Sequence, residues 1–242
     1  MLVFVHGVPE TAALWDKIRS QLDEPSVALS LPGFGTARPA GFGATKDAYA
    51  DWLLEQLRGF ATPVDLVGHD WGGLLTHRIA TSHPEVLRAF VTDALLVPGY
   101  EWHRYAKVWQ TPGEGEAFWD AVLGTAVEDR AAIYERYGIS NADATTLTAA
   151  FDATMAGCIL DLYRSAVPNP WTRWEFDPAA PTAPGLVLVA SEDEFSSPQL
   201  VGDLAAASGL GVARLEGVGH WWALQEPELA ARELTRFFAA VR

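Results

Sequence analysis

Three residues of this 242-residue chain carry groups whose types and spacing fit hydrolytic chemistry. Asp70 stands at the centre of Gly68-His69-Asp70-Trp71-Gly72, between the apolar run Val64–Val67 and a helical run from Gly73 to about Ser82. A strand, a tight Gly-flanked turn and a helix make a nucleophile elbow, and side chains in place of the two glycines would strike the neighbouring strand and helix. A carboxylate raised there sits beside the positive end of the helix. With a reference pKa of about 3.9 it is ionised at neutral pH and needs no base to become nucleophilic. Taken alone, Asp70 also reads as an ordinary cap before a helix. His220, after Gly217-Val218-Gly219, and Asp193, in Ser191-Glu192-Asp193-Glu194-Phe195, raise the stronger reading, because the order Asp70, Asp193, His220 is that of nucleophile, acid and histidine.

Such residues converge only if the right elements carry them. Apolar runs at Leu2–Val5, Val27–Leu29, Val64–Val67, Leu87–Thr92, Leu186–Ala190 and Val212–Leu215 predict strands covered on both faces. Trp15–Leu22, Asp47–Leu57, Gly73–Ser82 and Pro227–Val241 predict helices between and after them. The alternation predicts an α/β fold with a mostly parallel, doubly wound sheet. Asp70, Asp193 and His220 each follow a predicted strand, and open α/β sheets bind ligands outside the carboxyl ends of their strands. Between Leu95 and Pro184 the strand signal disappears. Helical patches at Trp102–Gln110, Glu116–Val122, Asp129–Tyr137 and Ala144–Val167 replace it. Trp102, Tyr105 and Trp109 share one helix face, and Tyr163 shares a face with Ile159 and Ala166. Five of the ten tryptophans fall in this insertion, so it reads either as the aromatic wall of a pocket or as its own packed interior.

The elbow, the His6-Gly7-Val8-Pro9-Glu10 turn after the first strand and the Gly219-His220 turn together resemble the Asp-nucleophile branch of the α/β-hydrolase family: the epoxide hydrolases and the haloalkane and haloacid dehalogenases. The resemblance covers nearly the whole chain. It implies an α/β-hydrolase fold with a core of residues 1–94 and 185–242 and a helical lid of 95–184. The sheet is expected to be shortened at the N-terminus, because the chain begins at what would be the third strand of relatives. It implies an oxyanion hole from the backbone N–H groups of Val8 and Trp71, with His6 in a structural role. His77 and His83 read as surface or capping residues.

In that family Asp70 attacks a saturated carbon to form an alkyl-enzyme ester, and His220 activates the water that cleaves it. Asp193 is the expected partner of His220; Asp93, after an earlier strand, is the alternative that some dehalogenases use. Tyr163 and Tyr105 are the lid candidates for protonating an epoxide oxygen, and Trp109 for contacting a leaving group. Val8 stands where one haloalkane dehalogenase group has Asn, and Trp71 and Leu74 stand where fluoroacetate dehalogenases have arginines. These departures favour epoxide hydrolysis to a diol over a haloalkane or haloacid dehalogenase. A non-catalytic hydrolase-fold ligand-binding protein is the third reading.

Composition narrows the partners. A net charge of −14, from 17 basic and 31 acidic residues, disfavours nucleic acid and anionic membranes. The expected partner is a small, largely apolar organic molecule, and a homodimer is among the assemblies the sequence allows. Neither a metal-ligand spacing nor a phosphate-cradling Gly motif occurs, so no metal and no cofactor is expected. The single cysteine, Cys158, rules out an internal disulfide and fits a reducing, cytoplasmic setting. Met1 runs directly into a strand without a basic leader, and no apolar run is long enough for a membrane span. Substrate identity, stereochemistry and oligomeric state are left open.

Overall fold

The computed structural model describes residues 1–96, 101–174 and 181–241. The chain runs β1 (Leu2–Val5), α1 (Asp16–Arg19), β2 (Ser26–Leu29), α2 (Lys46–Arg58), β3 (Val64–Gly68), α3 (Trp71–Ser82) and β4 (Leu87–Thr92). Five helices follow: α4 (Arg104–Gln110), α5 (Glu114–Gly124), α6 (Val127–Glu135), α7 (Asn141–Ala149) and α8 (Ala153–Ser165). It closes with β5 (Gly185–Ala190), α9 (Pro198–Ala207), β6 (Gly211–Leu215), α10 (Trp222–Gln225) and α11 (Pro227–Ala240).

The six strands form one parallel sheet in the order β2-β1-β3-β4-β5-β6. The chain first steps from β1 outward to β2, then crosses back to the other side of β1. That reversal places the topological switch between β1 and β3, where open α/β sheets have a crevice for ligands. The residues that follow these two strands, Val8 and Asp70, therefore flank it. β1 and β3 are wholly buried, as the apolar sequence of β1 and the mostly apolar sequence of β3 require. The one charge inside β3, Asp65, is neutralised across the sheet by Arg88 of β4, whose Nε donates to Oδ1 at 2.8 Å.

Two helices differ from the sequence reading. Trp15–Leu22 is a 3-10 turn, Ala12–Trp15, followed by the single turn of α1. The run Ala144–Val167 is two helices, because the Asp152 side chain accepts from Met155 N at 2.7 Å and starts α8 afresh. The proposed boundaries of the insertion, 95–184, include residues 97–100 and 175–180, which lie outside the described residues. The insertion is tied to the core through α2: Lys46 N donates to Ser165 Oγ of α8 at 2.8 Å. Trp15 packs on Phe4 of β1 and on Trp222 of α10, joining the two ends of the chain. Among the described residues no helix is long and apolar enough to cross a membrane.

Candidate active site

Asp70 has φ 51° and ψ −119°, a left-handed conformation that non-glycine residues rarely adopt. The elbow holds because β1 passes immediately beside α3. A Cβ on Gly72 would fall inside the contact shell of the Val5 and His6 carbonyls, and one on Gly7 inside that of the Asp70 side chain. The reward of this tightness is contact with backbone donors. Val8 N donates to Asp70 Oδ1 at 2.8 Å, and the Trp71 amide also stabilises the carboxylate. Oδ2 is the oxygen left to face His220, whose Nε2 lies 3.9 Å away, too far for a hydrogen bond. Burial pushes the Asp70 pKa up to about 6, against the pull of the two nearby histidines.

His220 Nδ1 lies 3.0 Å from Asp193 Oδ2. Asp193 is fixed in turn by the backbone N–H of Phe195 at 2.8 Å and the hydroxyl of Ser196 at 3.0 Å. Burial works against charge in both partners, but their mutual attraction and hydrogen bond prevail: Asp193 is held well below the usual carboxylate range and His220 is raised above an ordinary imidazole.

Asp93 lies elsewhere in the site. Its Oδ1 accepts from Asp70 N at 2.9 Å, and its Oδ2 accepts from Trp222 Nε1 at 2.6 Å and contacts His69 Nδ1. The other ring nitrogen of His69 meets Glu10 Oε1 at 3.1 Å, while Glu10 Oε2 accepts from Gly7 N at 2.9 Å. Burial opposes an imidazolium at His69, yet Glu10 and Asp93 outweigh it and hold the ring charged well above its ordinary pKa. This chain of buried side chains fastens the turn after β1 to the end of β4, directly beneath the elbow. The His69 and His220 rings lie 4.7 Å apart, and the His69 charge opposes protonation of His220.

His6 accepts from Leu31 N through Nε2 at 3.0 Å and contacts the Gly7 carbonyl through Nδ1 at 2.8 Å, a structural position. His77 differs from its surface reading: it is buried, and its Nδ1 accepts from Leu96 N at 3.0 Å. His83 ends α3 and lies 3.3 Å from Glu85.

Above Asp70 and His220 the insertion closes a cavity of about 310 Å³, whose wall includes His103, Tyr105, Trp109 and Tyr163. Tyr163 is buried against Trp71, Trp102 and Trp109. Tyr105 is half-buried, and its hydroxyl accepts from Arg104 at 3.0 Å. His103 had no role in the sequence reading. Its Nδ1 accepts from Ala106 N at 3.2 Å as the cap of α4, which leaves the proton on Nε2. Burial lowers its pKa to about 4, so the ring is a neutral donor. Among the described residues the buried indole N–H groups of Trp71, Trp109, Trp119 and Trp221 have no hydrogen-bond partner. A second, polar cleft of about 270 Å³, bordered by Glu192, Glu194 and Gln225, reaches His220 without touching Asp70. Among the described residues no group of three or more His, Cys, Asp or Glu is placed to hold a metal ion.

A sequence profile described as the Alpha/beta hydrolase family matches residues 2–233. The chain belongs to the alpha/beta-hydrolase family. The curated relatives of this hydrolase include the pimeloyl-[acyl-carrier protein] methyl ester esterase of Klebsiella pneumoniae, 38% identical over 98 residues. That match spans 38% of this chain and 35% of the esterase's length. Solved structures similar to the hydrolase include a loop variant of haloalkane dehalogenase DbeA from Bradyrhizobium elkanii, at TM-score 0.79 and 21% identity over 99% of this chain and 89% of that one. Epoxide hydrolase VrEH1 from Vigna radiata matches at TM-score 0.79 and 21% identity over 99% of this chain and 90% of that one. At these identities the likeness is one of fold.

Proposed function

We propose that this hydrolase opens epoxides to diols through a covalent ester on Asp70. The observation that carries the reading is one cavity wall that pairs a carboxylate nucleophile with two neutral proton-bearing groups, His103 and Tyr163. Asp70 Oδ2 attacks an epoxide carbon, the carbon–oxygen bond breaks, and the ring oxygen leaves as an alkoxide still attached to the substrate. His103 Nε2–H hydrogen-bonds that oxygen and Tyr163 transfers its proton to it. A phenol with a reference pKa of about 10 suits that task.

Esterification removes the negative charge of Asp70, one of the influences that raises the pKa of His220. His220 is thereby held less firmly in its protonated form, so the neutral ring that can take a proton from water is available at the moment it is needed. It takes a proton from water, the hydroxide adds to the Asp70 carboxyl carbon, and the negative charge settles on Oδ1 between the Val8 and Trp71 amides. Removing one such donor typically costs about 3–4 kcal/mol of barrier. Collapse breaks the bond between the Asp70 carboxyl carbon and Oδ2, which leaves with the substrate as an alkoxide, and the protonated His220 gives it the proton that completes the diol. The proton left on the Asp70 carboxyl returns through solvent to the Tyr163 phenolate, restoring both groups. The polar cleft that borders the cavity at Tyr137, Phe195 and His220 supports water access to His220.

The unpartnered indole N–H groups of Trp71 and Trp109 favour a second reading, a carbon–halogen substrate whose departing halide they would hold. The esterase activity named for the curated relatives is not carried over: Asp70 attack on an ester would give an anhydride that reverts. A panel of terminal epoxides and haloalkanes, assayed in parallel for diol and for halide, separates the readings. Diol without halide release is the expected result; halide release without diol assigns the cavity to dehalogenation. Tight binding with no turnover of either class would make it a ligand-binding protein.

A further inference from the structure

The cavity does not end at the aromatic residues over Asp70. It continues between α5 and α6, where Val122, Thr125, Arg130 and Ile133 line it. Ile133 is 48% exposed, so this end is the mouth. Arg130 is half-buried there. Its Nε donates to the Thr125 carbonyl at 2.9 Å and its Nη1 to the Thr148 carbonyl at 3.1 Å. Both acceptors are neutral. Arg130 has no ion pair among the described residues, as is also true of Arg58, Arg104, Arg136 and Arg232, but Arg130 is the arginine that lines the cavity. A guanidinium has five N–H donors in a rigid fork, and two carbonyls leave the rest of the fork for a ligand.

We propose that Arg130 is a specificity-determining residue that receives the carboxylate end of a linear, otherwise apolar substrate whose reactive carbon lies at Asp70. The substrate class is thus a medium-chain monocarboxylic acid carrying the reactive group away from its carboxylate. This rests on the cavity being the substrate site. The two ends of the cavity enforce one orientation. Asp70 and Asp193 repel an anion from the deep end, and the histidines there are already matched by carboxylates, His69 by Glu10 and Asp93 and His220 by Asp193. The carboxylate stays at the mouth, partly in water, where a charge-assisted and planar two-bond contact with Arg130 is available. The carbonyls of Thr125 and Thr148 hold the fork in place before the ligand arrives, which reduces the ordering cost of binding.

The alternative is that Arg130 only braces α5 against α7. Titration of tryptophan fluorescence with octanoate and with octan-1-ol distinguishes the two without any turnover, since Trp109 and Trp119 line the cavity. The wild-type protein is expected to bind octanoate about tenfold more tightly than the alcohol, the scale of one charge-assisted contact. Arg130→Gln should abolish the difference by weakening octanoate, and Arg130→Lys should restore part of it. With a terminal-epoxy fatty acid and its methyl ester, the ratio of kcat/KM values should collapse in Arg130→Gln through KM. Equal binding of the two probes to wild type, or equal weakening of both by Arg130→Gln, overturns the proposal. Octanoate discrimination that survives while no epoxide is opened leaves Arg130 in place and removes the reaction instead.

Discussion

In the proposed reaction the attacking oxygen is that of Asp70, a carboxyl group that burial holds near pH 6, and only its ionised form is nucleophilic. Below that value the proton blocks attack, so the alkylation rate should climb as pH rises through about 6 and level off above it. Rapid-quench measurement of the alkyl-enzyme on either side of that value tests this; a flat profile would mean that the buried carboxylate is not the nucleophile. Asp193 acts one step later. Asp193→Asn should leave alkylation nearly intact and slow ester hydrolysis by roughly 10⁴-fold, because His220 loses both its tautomer and its counter-charge. Asp93→Asn should act differently, slowing both steps together and lowering the melting temperature, since it removes one of the two carboxylates that pair with the buried His69 charge and loosens the Asp70 amide. Single-turnover rates with thermal melts separate the two patterns, and a selective hydrolysis defect in Asp93→Asn would return the orienting role to it. Asp70, Asp193 and His220 were legible because each ends a strand, where topology alone brings residues together. Glu10, His69 and His103 were not, because their roles arise from what faces them across the sheet and the cavity, and no local spacing records that.

The elements that aim these groups are α3 and α8. α3 begins at Asp70 itself, so its first amides and its dipole act on the carboxylate. α8 carries Tyr163, and its start is set by the Asp152 cap. Asp152→Ala should cost about 1 kcal/mol of stability, read as a lower urea midpoint at unchanged slope, with a fall in kcat as Tyr163 loses its footing. An unchanged midpoint would mean that packing alone fixes where α8 begins. The strands were readable almost to the residue, because short apolar runs rich in β-branched residues and bounded by Gly, Pro or polar turns mark them even where a charge such as Asp65 or Arg214 interrupts. The break between α7 and α8 was hidden by Ala149-Ala150, which continues the helical pattern up to Phe151. α9 went unread although Ser197-Pro198 is a helix-start pair, because its apolar stripe is weak: Val201 and Ala205 are its only buried residues.

At the scale of the whole molecule, the sheet reversal between β1 and β3 supplies the crevice, and the insertion roofs it. The cavity therefore belongs to both parts: Val8, Asp70 and His220 come from the core, and His103, Arg130 and Tyr163 from the insertion. Since Ser165 also ties α8 to α2, core and insertion should melt together, with tryptophan fluorescence and calorimetry giving one coincident transition. Two separated transitions would show the insertion to be an independent unit. The parallel, doubly wound character of the sheet followed from the alternation of strand and helix; the order of its strands did not. The cavity's extent did not, because it depends on how five short helices pack and not on any of them singly. The account stands on covalent attack by Asp70, and the most direct test uses His220→Gln, which keeps the nucleophile and removes the base. Incubated with an epoxide that the wild type consumes, this variant should gain one substrate mass on the peptide containing Asp70. No adduct, or an adduct on any other residue, would contradict it.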